Sequence, residues 1–259
     1  MIFSIGHLNH RFRGVPRFKY KFHFIRPKLT SVGLENNTLC NRKCEWCPNN
    51  TNKIVSRDMS WEVFDKIIDN LKSMRFTGRV SFNRFNEPLI DKRLPEFIGT
   101  VRKKLPKTHI YINSNGDLLT MELWKKLREA GLNYANIAIK DAEYPEHIKK
   151  IFDALNWRER QAFGLHLFNK NKTHNWAGNI DSNYNTPLKK ICVLPFYQMV
   201  IDYKGQAVLC CRDYSREVKL DVMNSSIKDV WEGDTFEHYR RHLIKGNRTL
   251  LTPCSKCAP

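Results

Sequence analysis

Three cysteines within eight residues constrain this chain more than any other feature of its sequence. Cys40, Cys44 and Cys47 form a C-x3-C-x2-C group that directly follows a predicted strand. Three thiolates this close together can wrap a loop around one compact inorganic centre, whereas a structural zinc ion needs four ligands in a tetrahedron. On a cubane iron–sulfur cluster, three protein ligands leave one iron open to a reactive molecule. The spacing therefore predicts a metal centre; the alternatives are a zinc site completed by a distant ligand, or three unrelated core cysteines.

The length and composition of the chain limit the class of protein that can contain this centre. A chain of 259 residues with 12% aromatic residues is long enough to bury a full core, as one large domain or a main domain with a small annex. No stretch approaches the ~18 uncharged apolar residues of a membrane span, and the first thirty residues contain no continuous apolar segment typical of a secretory signal. We therefore expect a cytoplasmic protein, in which cysteines stay reduced and ligate metals more often than they form disulfides.

The chain is strongly basic, with 44 Lys and Arg against 26 Asp and Glu, and a formal net charge of +18. Residues 1–34 contain no acidic residue, a bias that can mark a partner with phosphates or carboxylates. Because the basic residues are spread along the chain rather than gathered in a tail, we expect them to coat solvated surfaces. A nucleic-acid partner is unexpected, since no zinc-finger, KH-like or RNP-like pattern is present, and a small anionic substrate fits the charge equally well.

Strand and helix patterns alternate through the chain as far as residue 170. The predicted strands are Ser31–Glu35, Val80–Phe82, His109–Ile112, Tyr134–Ile139 and Ala162–Phe168. Helical spacing lies between them, including a helix that Ser60 could cap and a helix near Leu94–Lys104. This order predicts parallel pairing with right-handed crossovers. We therefore expect an α/β fold, a partial (β/α) barrel of about five to six parallel strands that is open on one side, with functional groups at the carboxyl ends of the strands.

Four segments are predicted along the chain. Residues 1–30 form an N-terminal extension with a strand over Phe18–Phe24, and residues 31–170 form the partial barrel. Residues 171–190 are rich in Asn and lack a helical period, so we interpret them as a linker that lines the site. Residues 191–259 form a small C-terminal domain with a hairpin around Gly205 and a final helix near Thr235–Leu243, which Asp234 is expected to cap.

Three motifs at successive predicted strand ends resemble the radical S-adenosylmethionine (SAM) superfamily. The motifs are the first cysteine group with Trp46 before its last cysteine, Phe85-Asn86-Glu87-Pro88 after the second strand, and Asn113-Ser114-Asn115-Gly116 after the third. The second motif is similar to the glycine-rich G-G-E-P stretch of the family, with Phe85 and Asn86 where the family usually has glycines.

The resemblance implies that Cys40, Cys44 and Cys47 hold a [4Fe–4S] cluster and that SAM chelates its fourth iron. It also implies the residues that contact SAM: Trp46, Phe85, Asn86, Glu87, Asn113, Ser114 and, just beyond the fifth strand, Asn169. In this family one electron cleaves SAM to methionine and a 5′-deoxyadenosyl radical, which abstracts hydrogen from the substrate. A flavodoxin or ferredoxin is the electron donor that the family implies.

A second cysteine group lies nearer the end of the sequence. Cys192, Cys210, Cys254 and Cys257 could form a four-thiolate zinc site on residue types alone. Their arrangement resembles the SPASM/twitch extension of radical SAM enzymes, in its truncated twitch form. The resemblance implies one auxiliary [4Fe–4S] cluster with a protein ligand on every iron, to which the substrate does not bind.

These resemblances imply an enzyme that abstracts hydrogen from its substrate. We expect a two-electron oxidation, a dehydrogenation, of a small polar molecule, with the auxiliary cluster taking an electron. The alternative is a peptide-modifying enzyme, either an epimerase in which Cys211 returns a hydrogen atom or a cross-linking enzyme. Cys211 and Arg212 are therefore the candidate catalytic residues, although Cys211 can equally be a small buried residue.

Overall fold

A computed structural model of the chain describes residues 26–50, 55–141, 143–169, 174–180 and 186–258. The strand predicted over Phe18–Phe24 lies outside these residues, as do parts of the predicted linker. The strands are β1 (Ser31–Leu34), β2 (Arg79–Phe82), β3 (His109–Ser114), β4 (Tyr134–Ile139), β5 (Phe163–Leu167), β6 (Gln198–Ile201), β7 (Gln206–Val208) and β8 (Leu220–Asp221). They form one sheet in the order β5-β4-β3-β2-β1-β6-β7-β8.

The first six strands are parallel. β1 pairs with β2 on one side and with β6 on the other, and β3, β4 and β5 follow β2 in sequence order. β7 and β8 are antiparallel and continue the sheet beyond β6. Among the described strands, the two edges β5 and β8 do not pair, so the barrel stays open. The predicted partial barrel is confirmed, and the predicted C-terminal hairpin extends the same sheet.

The α-helices of the described residues are α1 (Trp61–Ser73), α2 (Leu94–Lys104), α3 (Met121–Glu129), α4 (Glu146–Ala154), α5 (Trp157–Gln161), α6 (Ile227–Glu232) and α7 (Asp234–Leu243). The predicted cap at Ser60 is present, since its side chain accepts a hydrogen bond from the N–H of Val63. The prediction that Asp234 caps the last helix is wrong. Gly233 holds the extended backbone that an N-cap requires, and Asp234 is already helical. No helix in the described part of the chain combines the length and the apolar composition of a membrane crossing.

The apolar core lies between the helices and one face of the sheet. Because side chains alternate along a strand, Ile110 and Ile112 of β3 are buried in this core, while Tyr111 and Asn113 lie on the opposite, inner face. Large side chains fill the helix side, among them Phe64, Phe82, Phe97 and Trp124. The inner face instead carries polar and aromatic side chains: Arg79, Ser81, Tyr111, Asn113, Tyr134 and Asn136.

Buried charges join the strand ends to the C-terminal segment. Arg84, just after β2, contacts both carboxylate oxygens of Glu35 at 3.3 Å and donates to the carbonyl of Asp213 at 2.6 Å. Arg216 contacts Glu35 at 2.9 Å and Asp202 at 3.1 Å. The side chain of Arg84 is fully buried and that of Glu35 is 3% exposed, so each charge depends on its partner.

Candidate active site

The first cysteine group lies in the loop after β1, at the carboxyl ends of the parallel strands. The N–H of Cys47 donates to the carbonyl of Cys44 at 2.9 Å, which closes a tight turn. The three thiols are free and half-buried, and burial raises the pKa of each. The charges of Cys40 and Cys44 also raise the pKa of Cys47, as expected for three thiols in one short loop.

The donor set suits a cluster better than a single ion. Within the described ranges, no three His, Cys, Asp or Glu side chains come close enough together to hold one metal ion. Thiolates on one zinc ion all lie about 2.3 Å from it, whereas the irons of a cubane hold their sulfurs farther apart. Three thiols in one loop are the number of protein ligands that leaves one iron of a cubane open.

Arg42 anchors the loop of the first cysteine group to two neighbouring strand ends. Its guanidinium donates to both oxygens of Asp117 at 2.6 Å, and to the oxygens of Asp141 at 2.9 and 2.7 Å. Asp117 follows β3 and Asp141 follows β4, so one arginine joins the cysteine loop to two strand ends. These bonds hold the pKa of Arg42 above its usual range and that of Asp141 below it. Arg42 was not among the site residues predicted from the sequence; the available signal was an arginine between two cysteines and an aspartate after each of two strands.

Glu87 is buried and joins three loops. Its Oε1 accepts hydrogen bonds from the Ser114 hydroxyl at 2.8 Å and the Leu89 N–H at 3.1 Å, and its Oε2 accepts from the Asn115 N–H at 2.8 Å. Its own N–H donates to the carbonyl of Leu39, beside the first cysteine, at 2.7 Å. Burial raises the pKa of Glu87, and the hydrogen bonds to its carboxylate oppose that shift. The carboxylate therefore positions the loops, and its predicted contact with SAM stays a prediction.

Phe85 and Asn86 shape the loop after β2, where the family usually has glycines. Asn86 accepts a hydrogen bond from the N–H of Arg84 at 2.8 Å. The buried ring of Phe85 packs edge-on against Trp176 at 5.2 Å and Tyr214 at 4.7 Å between centroids. The larger side chain is thus used in packing toward the C-terminal segment.

Asn113 and Asn169 lie at the ends of two further strands. Asn113 accepts from the Tyr111 hydroxyl at 2.6 Å and from the Asn136 amide at 2.8 Å, within the inner face. Asn169 is exposed, two residues beyond β5. The structure brings Ser114 next to Glu87 and leaves Asn169 at the rim.

Trp46 forms one wall of a cleft beside the first cysteine group. Its ring stacks on Phe168 with centroids 5.2 Å apart, and the ammonium of Lys140 lies 3.5 Å from the centre of the Phe168 ring. The cleft has a volume of about 660 Å³, and Arg42, Lys43 and Lys140 line it. Burial lowers the pKa of Lys140. Glu45 and Asp141 also line the cleft, so it offers both basic and acidic groups to a polar cofactor.

The second cysteine group gathers three separate segments of chain. Cys192 precedes the 3-10 turn Leu194–Phe196, Cys210 follows β7, and Cys254 and Cys257 occupy the last turn. Cys254 and Cys257 are each 7% exposed. Burial raises the pKa of Cys254 to about 12, with further contributions from the charges of Cys192 and Cys257. Burial also raises the pKa of Cys210, and the charges of Cys211, Cys254 and Cys192 add to that shift, so these segments of chain lie near one another.

Cys211 and Arg212 directly follow Cys210. The Arg212 guanidinium lies 3.6 Å from the Sγ of Cys257 and 2.9 Å from the Nε2 of His174. This contact gives Arg212 a place beside a predicted cluster ligand, which indicates a positioning role toward the second cysteine group. Cys211 is half-buried; burial raises its pKa, and the charge of Arg212 opposes the shift.

The described part of the predicted linker contacts both cysteine groups. The Nε1 of Trp176 donates to the carbonyl of Trp46 at 2.7 Å. The amide of Asn175 donates to the carbonyl of Lys256 at 2.7 Å and accepts from the N–H of Ala258 at 2.9 Å. Trp176 and the two residues after it have positive φ, a conformation that costs a non-glycine residue roughly 1–2 kcal/mol. The contacts on both sides maintain this strained turn.

Two family models match the two halves of this arrangement. The model of the radical SAM superfamily matches residues 37–166. The model of SPASM, an iron–sulfur cluster-binding domain, matches residues 192–258.

Individual proteins are similar along most of the chain. The S-adenosyl-L-methionine-dependent 2-deoxy-scyllo-inosamine dehydrogenase of Niallia circulans is 26% identical over 233 residues, which cover 88% of this chain and 92% of that protein. A crystal structure of BtrN in complex with AdoMet and 2-DOIA has a TM-score of 0.82 at 26% identity, covering 90% of this chain and 94% of its own. Native anSMEcpe with bound AdoMet has a TM-score of 0.57 at 13% identity over 83% of this chain and 84% of its own, a likeness of fold alone.

Proposed function

Because the chain belongs to the radical SAM superfamily, we propose that it dehydrogenates a small polar molecule in a two-electron oxidation. The predicted enzyme class, SAM and two iron–sulfur clusters are confirmed by the two family matches. The observation that carries the proposed reaction is the second cysteine group, in which Cys192, Cys210, Cys254 and Cys257 offer four thiols in a largely buried setting. Four protein ligands leave no iron open to the substrate, so this group suits the acceptance of an electron.

The relative from Niallia circulans supports this reaction. Its name describes a SAM-dependent dehydrogenase of 2-deoxy-scyllo-inosamine, and the similarity extends over 88% of this chain. We propose a small polar substrate for this chain on the same grounds.

In this proposal, Cys40, Cys44 and Cys47 hold the SAM-binding [4Fe–4S] cluster. When bound, the cluster and SAM supply the radical that removes a hydrogen atom from the substrate. Arg42 and Glu87 keep the cysteine loop against the strand ends through the hydrogen bonds described above. The stacked aromatic pair of the cleft covers one side of the site and helps to exclude water.

The inner face of the sheet suits a substrate with hydroxyl or amino groups. Tyr111 and Tyr134 stack with centroids 5.6 Å apart, and the guanidinium of Arg79 lies 5.4 Å from the Tyr111 ring. The amides of Asn113 and Asn136 are joined by a hydrogen bond of 2.8 Å. Phenol and amide groups orient polar substrates, and Arg79 adds a positive charge for an anionic one.

The proposed oxidation converts a C–H and an O–H bond into a carbonyl group. The substrate loses a hydrogen atom from carbon, a proton from oxygen and one electron, which adds up to two electrons and two protons. We propose that the electron goes to the cluster of the second cysteine group. Enzymes of this superfamily need an electron donor, and we propose a flavodoxin or ferredoxin for this chain.

The test uses protein reconstituted anaerobically with iron and sulfide. It is incubated with SAM, dithionite and 2-deoxy-scyllo-inosamine, together with a panel of related amino alcohols. We expect a ketone and 5′-deoxyadenosine in equal amounts, with a deuterium label at the reacting carbon transferred to 5′-deoxyadenosine. Solvent deuterium at that carbon of an unoxidised product contradicts dehydrogenation, because it shows that a hydrogen atom was returned.

A matched pair of neighbouring cysteines separates this proposal from epimerisation. Cys211→Ala is expected to keep the rate of oxidation within about threefold, whereas Cys210→Ala removes a cluster ligand and stops oxidation. Loss of product in Cys211→Ala with SAM cleavage intact would favour the peptide-epimerase alternative, in which this thiol is the hydrogen donor.

A further inference from the structure

A basic surface lies on the outer side of the second cysteine group. Lys189 and Lys190, just before Cys192, Arg241 of α7, and Lys245, two residues after the end of α7, are exposed; we call these four residues the α7 surface. A small cleft of about 290 Å³ next to it is lined by His238, Arg241, His242, Lys245 and Asn247.

The positive charges of the α7 surface are weakly compensated. Arg241 contacts Glu237 at 3.7 Å, but both side chains are about half exposed or more, so the pair contributes little. In the part of the chain that the structure describes, Lys189, Lys190 and Lys245 form no ion pair. The surface is therefore available to an anionic partner.

Short contacts connect the α7 surface to the second cysteine group. The N–H of Cys192 donates to the carbonyl of Leu243 at 3.1 Å, within the last turn of α7. The buried Arg248 donates to the carbonyl of Lys190 at 2.8 Å, which fixes the segment that leads into Cys192. A partner that touches Lys190 and Lys245 is thus separated from Cys192 by a single layer of backbone.

We propose that the α7 surface docks an acidic electron carrier of the flavodoxin type, which exchanges an electron with the auxiliary cluster. The inference rests on the proposed function in one respect, namely that the second cysteine group accepts an electron from the substrate. Each turnover consumes one electron in SAM cleavage and releases one from the substrate. A carrier that takes up the released electron here, becoming reduced, can supply it for the next SAM cleavage.

The chemistry of the surface matches such a partner. Opposite charges steer two proteins together and raise the association rate. Electron-transfer complexes are small and transient, so they need no large apolar patch. The apolar contribution here is small: Ile191, between Lys190 and Cys192, is 37% exposed. Salt screens exposed charges over about 8–10 Å, so the interaction should weaken as ionic strength rises.

The experiment compares two double variants with the same change in charge. Lys190→Glu with Lys245→Glu alters the α7 surface, and Lys125→Glu with Lys149→Glu alters exposed positions on α3 and α4. Each enzyme is reduced, desalted and mixed with an acidic flavodoxin in its oxidised form, whose conversion to the semiquinone is followed, and turnover is measured separately with dithionite. We expect the α7 variant to raise the KM for flavodoxin by about tenfold, with unchanged rates in dithionite, while the control variant matches wild type.

Equal effects of the two double variants, or an unchanged KM in the α7 variant, would overturn the proposal. So would loss of affinity for a short RNA with unchanged flavodoxin kinetics, because the surface would then serve nucleic acid. Failure of the proposed function has a different signature: wild-type enzyme forms no oxidised product even with dithionite.

Discussion

The first cysteine group lies within a single half-exposed loop, whereas the second draws four cysteines from three segments that pack together. The first is held at its rim by charged hydrogen bonds from Arg42 to Asp117 and Asp141. The second is enclosed by the core, with Cys254 and Cys257 each 7% exposed. A loop that is held only at its edge leaves one side of its cysteines accessible. Cysteines that pack together from three segments are less accessible. The two arrangements therefore suit different tasks, the binding of a reactive cofactor in one case and the storage of an electron in the other.

Removing one cysteine from each group gives the largest expected difference between them. Cys44→Ala should reduce both SAM cleavage and substrate oxidation by more than about 100-fold, because one of three cluster ligands is lost. Cys257→Ala should stop oxidation while SAM cleavage continues. Both products are measured in the same reaction, with iron content as a control. Equal loss of SAM cleavage in both variants would contradict the division of tasks.

Arg84→Met tests the buried charges that join the two regions. Removing one partner of a buried ion pair costs about 3–5 kcal/mol; because Arg216 still contacts Glu35, we expect the lower end of that range. Urea denaturation of the apoprotein measures the loss. Lys126→Met, which removes an exposed pair with Glu122 on α3, is the control and should leave the free energy of unfolding almost unchanged. Similar losses of stability in both variants would mean that the buried ion pair of Arg84 and Glu35 contributes no more than an exposed pair.

Arg212→Met should affect the second cysteine group and leave the first unchanged. The guanidinium lies 3.6 Å from the sulfur of Cys257, and hydrogen bonds to cluster sulfurs tune the reduction potential. Without this positive donor, we expect a lower potential of the auxiliary cluster and about a tenfold slower oxidation. Spectroscopic redox titration measures both clusters, and Arg158→Met, at an exposed position of α5, is the control. A shift in the SAM-binding cluster instead would refute this assignment.

Asp141→Asn is expected to have the smallest effect. It also tests whether the stability that the ion pair with Arg42 contributes depends on pH. Arg42 holds the pKa of Asp141 below its usual range, so folding favours the ionised carboxylate. This stabilisation is present at neutral pH and is lost as the pH falls through the lowered pKa. Since the Asp141 side chain is 48% exposed, the variant should lose less than about 1 kcal/mol at neutral pH. The difference in Tm from wild type should shrink as the pH falls below 3.8, the ordinary pKa of an aspartate; a constant difference would exclude the ion pair as its cause.

Most of the fold could be predicted because its signals are local. The helix over Leu94–Lys104 and the strand over Tyr134–Ile139 occupy the predicted residues, since apolar spacing and terminal residues act within a few positions of each other. The short helix α5 was not predicted, because five residues hold too little periodic pattern. The mistaken cap at Asp234 shows the same limit, since a one-residue change in backbone conformation decides which residue caps.

By itself, the sequence determined the type and order of the strands and helices, the two groups of cysteines and the family to which they point. Tertiary structure alone decided which distant residues meet. Arg42 reaches carboxylates 75 and 99 positions away, and β1 pairs directly with β6, which lies far along the sequence. Such contacts depend on strand order and register, which arise from the packing of the whole core. A local pattern of residues specifies an element, but it does not specify that element's neighbours.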